Sequence, residues 1–120
     1  MRGLRVHAGL AAVAAAGLLA GVSTSLAASA ENGKMLFMKN GCWQCHGTVG
    51  QGSIASSGGK VLAPNPLPYD QFVTFVRTTN GAMPPYREAI LSNEDLADIH
   101  AYLQSIPKPA DHKSIPLLNQ

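Results

Sequence analysis

Residues 42–46 read Cys42-Trp43-Gln44-Cys45-His46, and no other stretch constrains this chain as tightly. Two thiols at this spacing, followed directly by an imidazole, can grip one haem. Each thiol adds to a vinyl group to give a thioether, and the neighbouring histidine reaches the iron. The same residues could in principle form a redox dithiol or a zinc site. A thioredoxin-like dithiol belongs in a βαβ setting, and no pair of β-branched strand runs flanks the motif. A structural zinc site takes four ligands and usually a second Cys/His pair, whereas the chain has 2 cysteines, both inside the motif. The haem reading leads: Cys42 and Cys45 are the covalent anchors, His46 is an iron ligand, and no disulfide remains to staple the fold.

A chain of 120 residues has room for one small domain, and its first thirty residues read as a processing signal. Arg2 and Arg5 form a basic start, Ala8 to Val22 is an uncharged apolar run, and Ala28-Ser29-Ala30 has the small-residue pattern of a cleavage site. The expected division is a secretory leader over 1–30, a folded domain over 31–107 and a flexible tail over 108–120, with a periplasmic destination. The alternative is a retained anchor, because no Asp, Glu, Lys or Arg occurs from Val6 to Ala30. Its Ala and Gly content makes that anchor weak. The two arginines are not adjacent, which favours the general export route over the twin-arginine one.

The formal charge of +2 belongs to the whole chain. Of the 9 basic residues two lie in the leader, while all 7 acidic ones lie beyond it, so the exported domain has no formal net charge. Nucleic-acid binding has no basis here. A domain this small buries a modest core, and a haem would add a large apolar surface on which to pack.

The apolar residues Met35, Leu36, Phe37 and Met38 fall in a short helix spanning Asn32 to Asn40 and stopped by Asn40-Gly41. Gly33, one turn before Phe37, marks a place where another backbone comes close. Gly47 to Gly59 has no helical or strand period and reads as a loop over the haem. The prolines of Ala63-Pro64-Asn65-Pro66-Leu67-Pro68 impose an extended path. Phe72, Val73, Phe75 and Val76 give Asp70 to Thr78 one apolar face, with Asn80-Gly81 as a left-handed stop. Ser92-Asn93-Glu94-Asp95 fits a capping box, and Leu96, Ile99, Leu103 and Ile106 then repeat at helical spacing until Pro107.

A low-spin carrier needs a second axial ligand, and the candidates are Met35, Met38, Met83, His100, His112 and the lysines. Met35 and Met38 lie on the helix before the motif, where Met ordinarily packs against neighbours. Met83 stands between Gly81 and Pro84-Pro85 in a turning, stiffened loop far downstream of His46. Position favours Met83, with core filling as its ordinary alternative use.

Over roughly Asn32 to Pro107 the chain resembles the small class I bacterial cytochromes c. The resemblance rests on Gly33 with Phe37, Cys42-Trp43-Gln44-Cys45-His46, Gly81-Ala82-Met83-Pro84-Pro85-Tyr86, and Leu96 to Leu103 with Ala101-Tyr102-Leu103. It implies an all-α fold of three or four helices around one covalently bound haem c. The first and last helices are expected to cross near Gly33, Phe37 and Tyr102. It also implies thioethers at Cys42 and Cys45, and His46 and Met83 on the iron. In one place the chain departs from the pattern. Such cytochromes often carry Gly-Pro-x-Leu, whose proline carbonyl holds the ligand histidine, and this chain reads Gly59-Lys60-Val61-Leu62. Any backbone carbonyl can accept that bond, so it is expected from Lys60 or from a neighbour such as Pro64.

Two filled axial positions make the expected function one-electron transfer between exported or membrane-bound redox proteins, and not enzymatic catalysis. The expected partners are a dehydrogenase as donor and an oxidase or membrane complex as acceptor. They would be met by a soluble monomer in weak, mainly apolar complexes of under about 1,200 Å². The alternatives are a dedicated cytochrome subunit of a periplasmic dehydrogenase complex, or a haem enzyme or gas sensor with a labile sixth ligand.

Overall fold

The computed structural model describes residues 27–53 and 58–119, so the expected leader lies outside them except for its last four residues. Those four matter, because Ser29 caps the first helix, α1, Ala30–Lys39. Ser29 Oγ accepts from the Asn32 backbone N–H at 3.2 Å, and its carbonyl accepts from Gly33 at 2.9 Å. Glu31 in the first turn and Lys39 in the last complement the helix dipole. The helix ends as expected, with Asn40 donating to the Leu36 carbonyl and Gly41 following at φ +75°. It begins two residues before the expected Asn32.

A single helical turn, α2, Trp43–His46, carries most of the Cys-x-x-Cys-His motif and is too short to show a period in sequence. Helices α3, Tyr69–Thr78, and α4, Asn93–Ser105, follow. The capping box of α4 is present: Ser92 Oγ accepts from the Asp95 N–H at 3.1 Å, and Asp95 Oδ2 accepts from the Ser92 N–H at 3.0 Å. No strand occurs among the described residues, and four α-helices realise the expected all-α architecture. None of these helices is long and apolar enough to cross a membrane. Beyond Pro107, where the sequence shows no period, the chain makes two exposed 3₁₀ turns, His112–Ser114 and Pro116–Leu118.

The first and last helices cross where Gly33 meets the backbone of Asp98 and Ile99. Any Cβ on Gly33 would collide with the Asp98 carbonyl, so glycine is there for close approach. One turn further along, the Phe37 and Tyr102 rings meet at 5.7 Å with a 58° tilt. The carboxylate of Asp98 secures the other end, accepting from the Ser29 backbone N–H at 2.6 Å and from Asn32 Nδ2 at 2.7 Å. Phe37, Leu96, Ile99, Tyr102 and Leu103 form the buried centre, joined by Phe72 and Val76 of α3 and by Leu91. Gly33→Ala is expected to cost about 1–3 kcal/mol as the two backbones are forced apart. A denaturation midpoint equal to that of the unsubstituted protein would show that the crossing adapts without penalty.

Two expectations from sequence are corrected. Met35 and Met38 do not pack inside; they are 60% and 38% exposed, because α4 covers only the stripe carrying Gly33 and Phe37. The end of α3 is not a left-handed glycine stop either. Thr79 turns into extended backbone at φ −56°, ψ 141°, and Gly81 is absent from the glycines with positive φ. The helix needs no such stop, since the Val76 carbonyl accepts from the Tyr86 N–H at 3.0 Å and the Phe75 carbonyl from Thr79 at 2.9 Å.

Candidate haem site

Between α3, α4 and the motif lies a cavity of about 400 Å³, within the range of roughly 300–1,000 Å³ typical of ligand clefts. The motif contributes Cys42, Cys45 and His46, α4 contributes Leu96, Ile99 and Leu103, and the loop after α3 contributes Ala82, Met83 and Tyr86. Val61, Leu67 and Phe75 also line it, although they are 66%, 47% and 51% exposed. Large apolar side chains left open around one cleft fit a flat apolar occupant that would cover them. The residues therefore suit a haem in their chemistry: two thiols and an imidazole on an apolar lining.

His46 has one ring nitrogen engaged by the backbone. Its Nδ1 donates to the Lys60 carbonyl at 2.8 Å, which leaves Nε2 as the nitrogen with a free lone pair. Of the carbonyls the sequence left open, the geometry selects that of Lys60. Glycine again explains how the chain reaches it, because a Cβ on Gly59 would strike the Cys45 carbonyl. Short backbone bonds hold the two sides of this loop together: Gly52 donates to His46 at 2.8 Å, Ser53 to Gly59 at 3.0 Å and Leu62 to Gly50 at 2.8 Å.

Cys42 and Cys45 form no disulfide. Burial, with a smaller contribution from the neighbouring Cys45, pushes the Cys42 thiol up to about 11. A redox dithiol needs the opposite shift, toward thiolate at neutral pH. No cluster of three or more His, Cys, Asp or Glu able to hold a metal ion occurs among the described residues.

Met83 is half-buried in the loop between α3 and α4, and it faces the same cavity as His46. The other candidates are elsewhere. Met35 and Met38 do not line the cavity. His100 Nε2 is bonded to the Leu67 carbonyl at 2.8 Å, and its ring packs on Tyr69 and Phe72 at 5.6 and 5.4 Å. His112 sits in the tail beside Asp111 at 3.3 Å. Among the lysines Lys60 borders the cavity, yet its carbonyl is the one bound to His46, which puts its backbone on the histidine's own side.

Sequence reasoning missed Arg77 as a site-building residue and read Tyr86 only as part of a motif. Arg77 Nη1 donates to the Tyr86 carbonyl at 2.9 Å and Nη2 to Asn93 Oδ1 at 2.9 Å. The Tyr86 hydroxyl donates to the Asn40 carbonyl at 2.7 Å. Burial raises the Tyr86 phenol above its ordinary value, and even an unperturbed phenol is a donor at neutral pH. The placement of Tyr86 directly after Met83-Pro84-Pro85 was the only sequence signal available.

Comparison with known families finds a match over residues 28–103 to the family described as cytochrome c oxidase, cbb3-type, subunit III. The chain belongs to this family. It is accordingly a small class I c-type cytochrome, with haem c attached covalently and electron transfer as its chemistry. The match spans α1 to α4 nearly to its end and contains the whole cavity, so the family and the geometry describe the same part of the cytochrome. Comparisons with curated proteins and with solved structures return no match.

Proposed function

We propose that this cytochrome is a one-electron carrier between exported or membrane-bound redox proteins, with thioethers at Cys42 and Cys45 and with His46 and Met83 as axial ligands. The observation that carries the reading is that these four side chains, drawn from two distant segments, line one apolar cavity. The haem supplies the Fe(III)/Fe(II) couple, and the residues supply its setting. Lys60 fixes the imidazole so that Nε2 is presented in one tautomer. The Met83 thioether, as in other Met/His cytochromes, favours the reduced form. Leu96, Ile99 and Leu103 keep water from that part of the cleft. With His46 and Met83 both holding the iron, no position on it would be left for a substrate or for oxygen. The reduced-minus-oxidised absorption spectrum tests the assignment, together with the weak red band of Met–iron(III) ligation in the oxidised protein. A c-type spectrum lacking that band would remove Met83.

Partner contact is proposed beside the cavity, where Ala82 lines it and Trp43, Pro84 and Pro85, exposed and apolar, adjoin its lining residues Cys42 and Met83 in the chain. The domain beyond residue 30 has seven basic and seven acidic residues, so steering by net charge is weak. Electron-exchange rates with a redox partner are expected to change little from low to high ionic strength. A steep fall with added salt would instead point to a basic ring drawn from Lys34, Lys39, Lys60 and Arg87. The family's description after an oxidase subunit favours a second reading, a cytochrome that stays bound within a membrane complex. Retention of the native protein on membranes after a high-salt wash would support it.

A further inference from the structure

The loop that carries Met83 makes its best-defined attachments through a residue that lines the cavity without being a candidate ligand. Tyr86 is held at three points. Its N–H donates to the Val76 carbonyl at 3.0 Å, its carbonyl accepts from Arg77 Nη1 at 2.9 Å, and its hydroxyl donates to the Asn40 carbonyl at 2.7 Å. The first two bonds tie the loop to the end of α3. The third reaches across to the C-cap of α1, two residues before Cys42. Asn40 is itself fixed there, since its backbone N–H and its Nδ2 both donate to the Leu36 carbonyl at 2.9 Å. The phenol therefore connects the segment bearing Met83 to the segment bearing Cys42, Cys45 and His46. Few other polar contacts anchor the loop, for Gly81, Ala82, Pro84 and Pro85 are exposed and the two prolines have no N–H to donate.

We infer that Tyr86 is a positioning residue that sets how often Met83 leaves the iron, by pinning the methionine loop to the carbonyl of Asn40. The inference rests on Met83 being the axial ligand. A loop swings away more often when one bond that resists the swing is removed. A net hydrogen-bond contribution of about 1 kcal/mol corresponds to an increase of about fivefold in the open population. Pro84 and Pro85 limit the paths by which the loop can move, so opening is gated by the contacts at Tyr86 more than by local flexibility.

Tyr86→Phe removes only the phenol oxygen and keeps the ring in place. In the haem-loaded oxidised protein, cyanide binds only after the sixth ligand has left, so its binding rate reads the opening of the loop. That rate is expected to rise about fivefold in Tyr86→Phe, while the Met–iron band persists. Hydrogen exchange at the residue 86 amide, which donates to Val76, is expected to quicken by a similar factor. Tyr102→Phe is the matched comparison. It deletes the same kind of bond, from a phenol to the Thr48 carbonyl at 3.0 Å, with neither partner in the methionine loop. Its cyanide rate is expected to stay at that of the unsubstituted protein even if its denaturation midpoint falls. The inference is overturned if Tyr86→Phe binds cyanide at the unsubstituted rate, or if Tyr102→Phe accelerates binding equally, which would mark a general loss of stability. Failure of the underlying ligand assignment looks different: the unsubstituted protein would then bind cyanide as fast as Met83→Ala, and the inference would fall with it.

Discussion

Met83→Ala is expected to leave the haem attached while opening the sixth position, so that carbon monoxide binds the reduced protein and cyanide the oxidised protein without delay. The covalent links at Cys42 and Cys45 do not depend on Met83, and the His46 bond to Lys60 lies in another segment, so attachment and the fifth ligand survive. Loss of a neutral sulfur ligand that favours Fe(II) lowers the potential. The fall should be on the order of 0.1–0.3 V, a fraction of the roughly 0.8 V over which axial ligands set haem potentials. Met35→Leu should change none of these properties, because Met35 is 60% exposed and lies away from the cavity. Should the Met–iron band vanish in Met35→Leu and persist in Met83→Ala, the ligand would have to be reassigned.

Cys42→Ser and Cys45→Ser are each expected to reduce strongly, or abolish, the yield of protein that retains haem under denaturing conditions. Each thiol supplies one covalent link, and the chain has no further cysteine to replace it. Weakened attachment also removes the apolar surface on which Val61, Leu67 and Phe75 are expected to close. The fold should loosen as a result, because anything bound only by the folded state adds to its stability. Mass spectrometry of the exported protein measures the attachment directly. Normal haem-bearing yields from both variants would rule out two thioethers.

The parts of the fold legible in sequence were those encoded locally. Ser92 and Asp95 announce the start of α4, and its apolar repeat carries to Ile106, just before Pro107. Gly33 with Phe37 announces the crossing, because one residue lacks a side chain exactly one turn before a large one. The start of α1 was not legible, since its cap, Ser29, lies among small residues that also read as a cleavage site. The end of α3 misled for another reason: Asn80-Gly81 has the composition of a left-handed stop, but distant Tyr86 satisfies a helix carbonyl and removes the need. Met35 and Met38 share the composition of a core face, and only the position of α4 shows that they lie outside it. Within the site, the four candidate side chains were legible by residue type and spacing. The carbonyl of Lys60 was narrowed but not fixed, because a backbone acceptor has no sequence signature of its own.

The Asp98 clamp also bears on the order in which the molecule can assemble. Asn32 and Asp98 stand 66 residues apart in the chain, and bringing the ends of a loop that long together costs about 4 kcal/mol of chain entropy. Synthesis runs from the N-terminus, so residues 42–46 exist well before α4 does. Until Asn93–Ser105 has been made, Phe37 has no Tyr102 to pack on and the cavity lacks Leu96, Ile99 and Leu103. Packing of α4 across the cavity is the step that brings Leu96, Ile99 and Leu103 over Cys42 and Cys45, so haem would reach the two thiols more readily before that packing than after it.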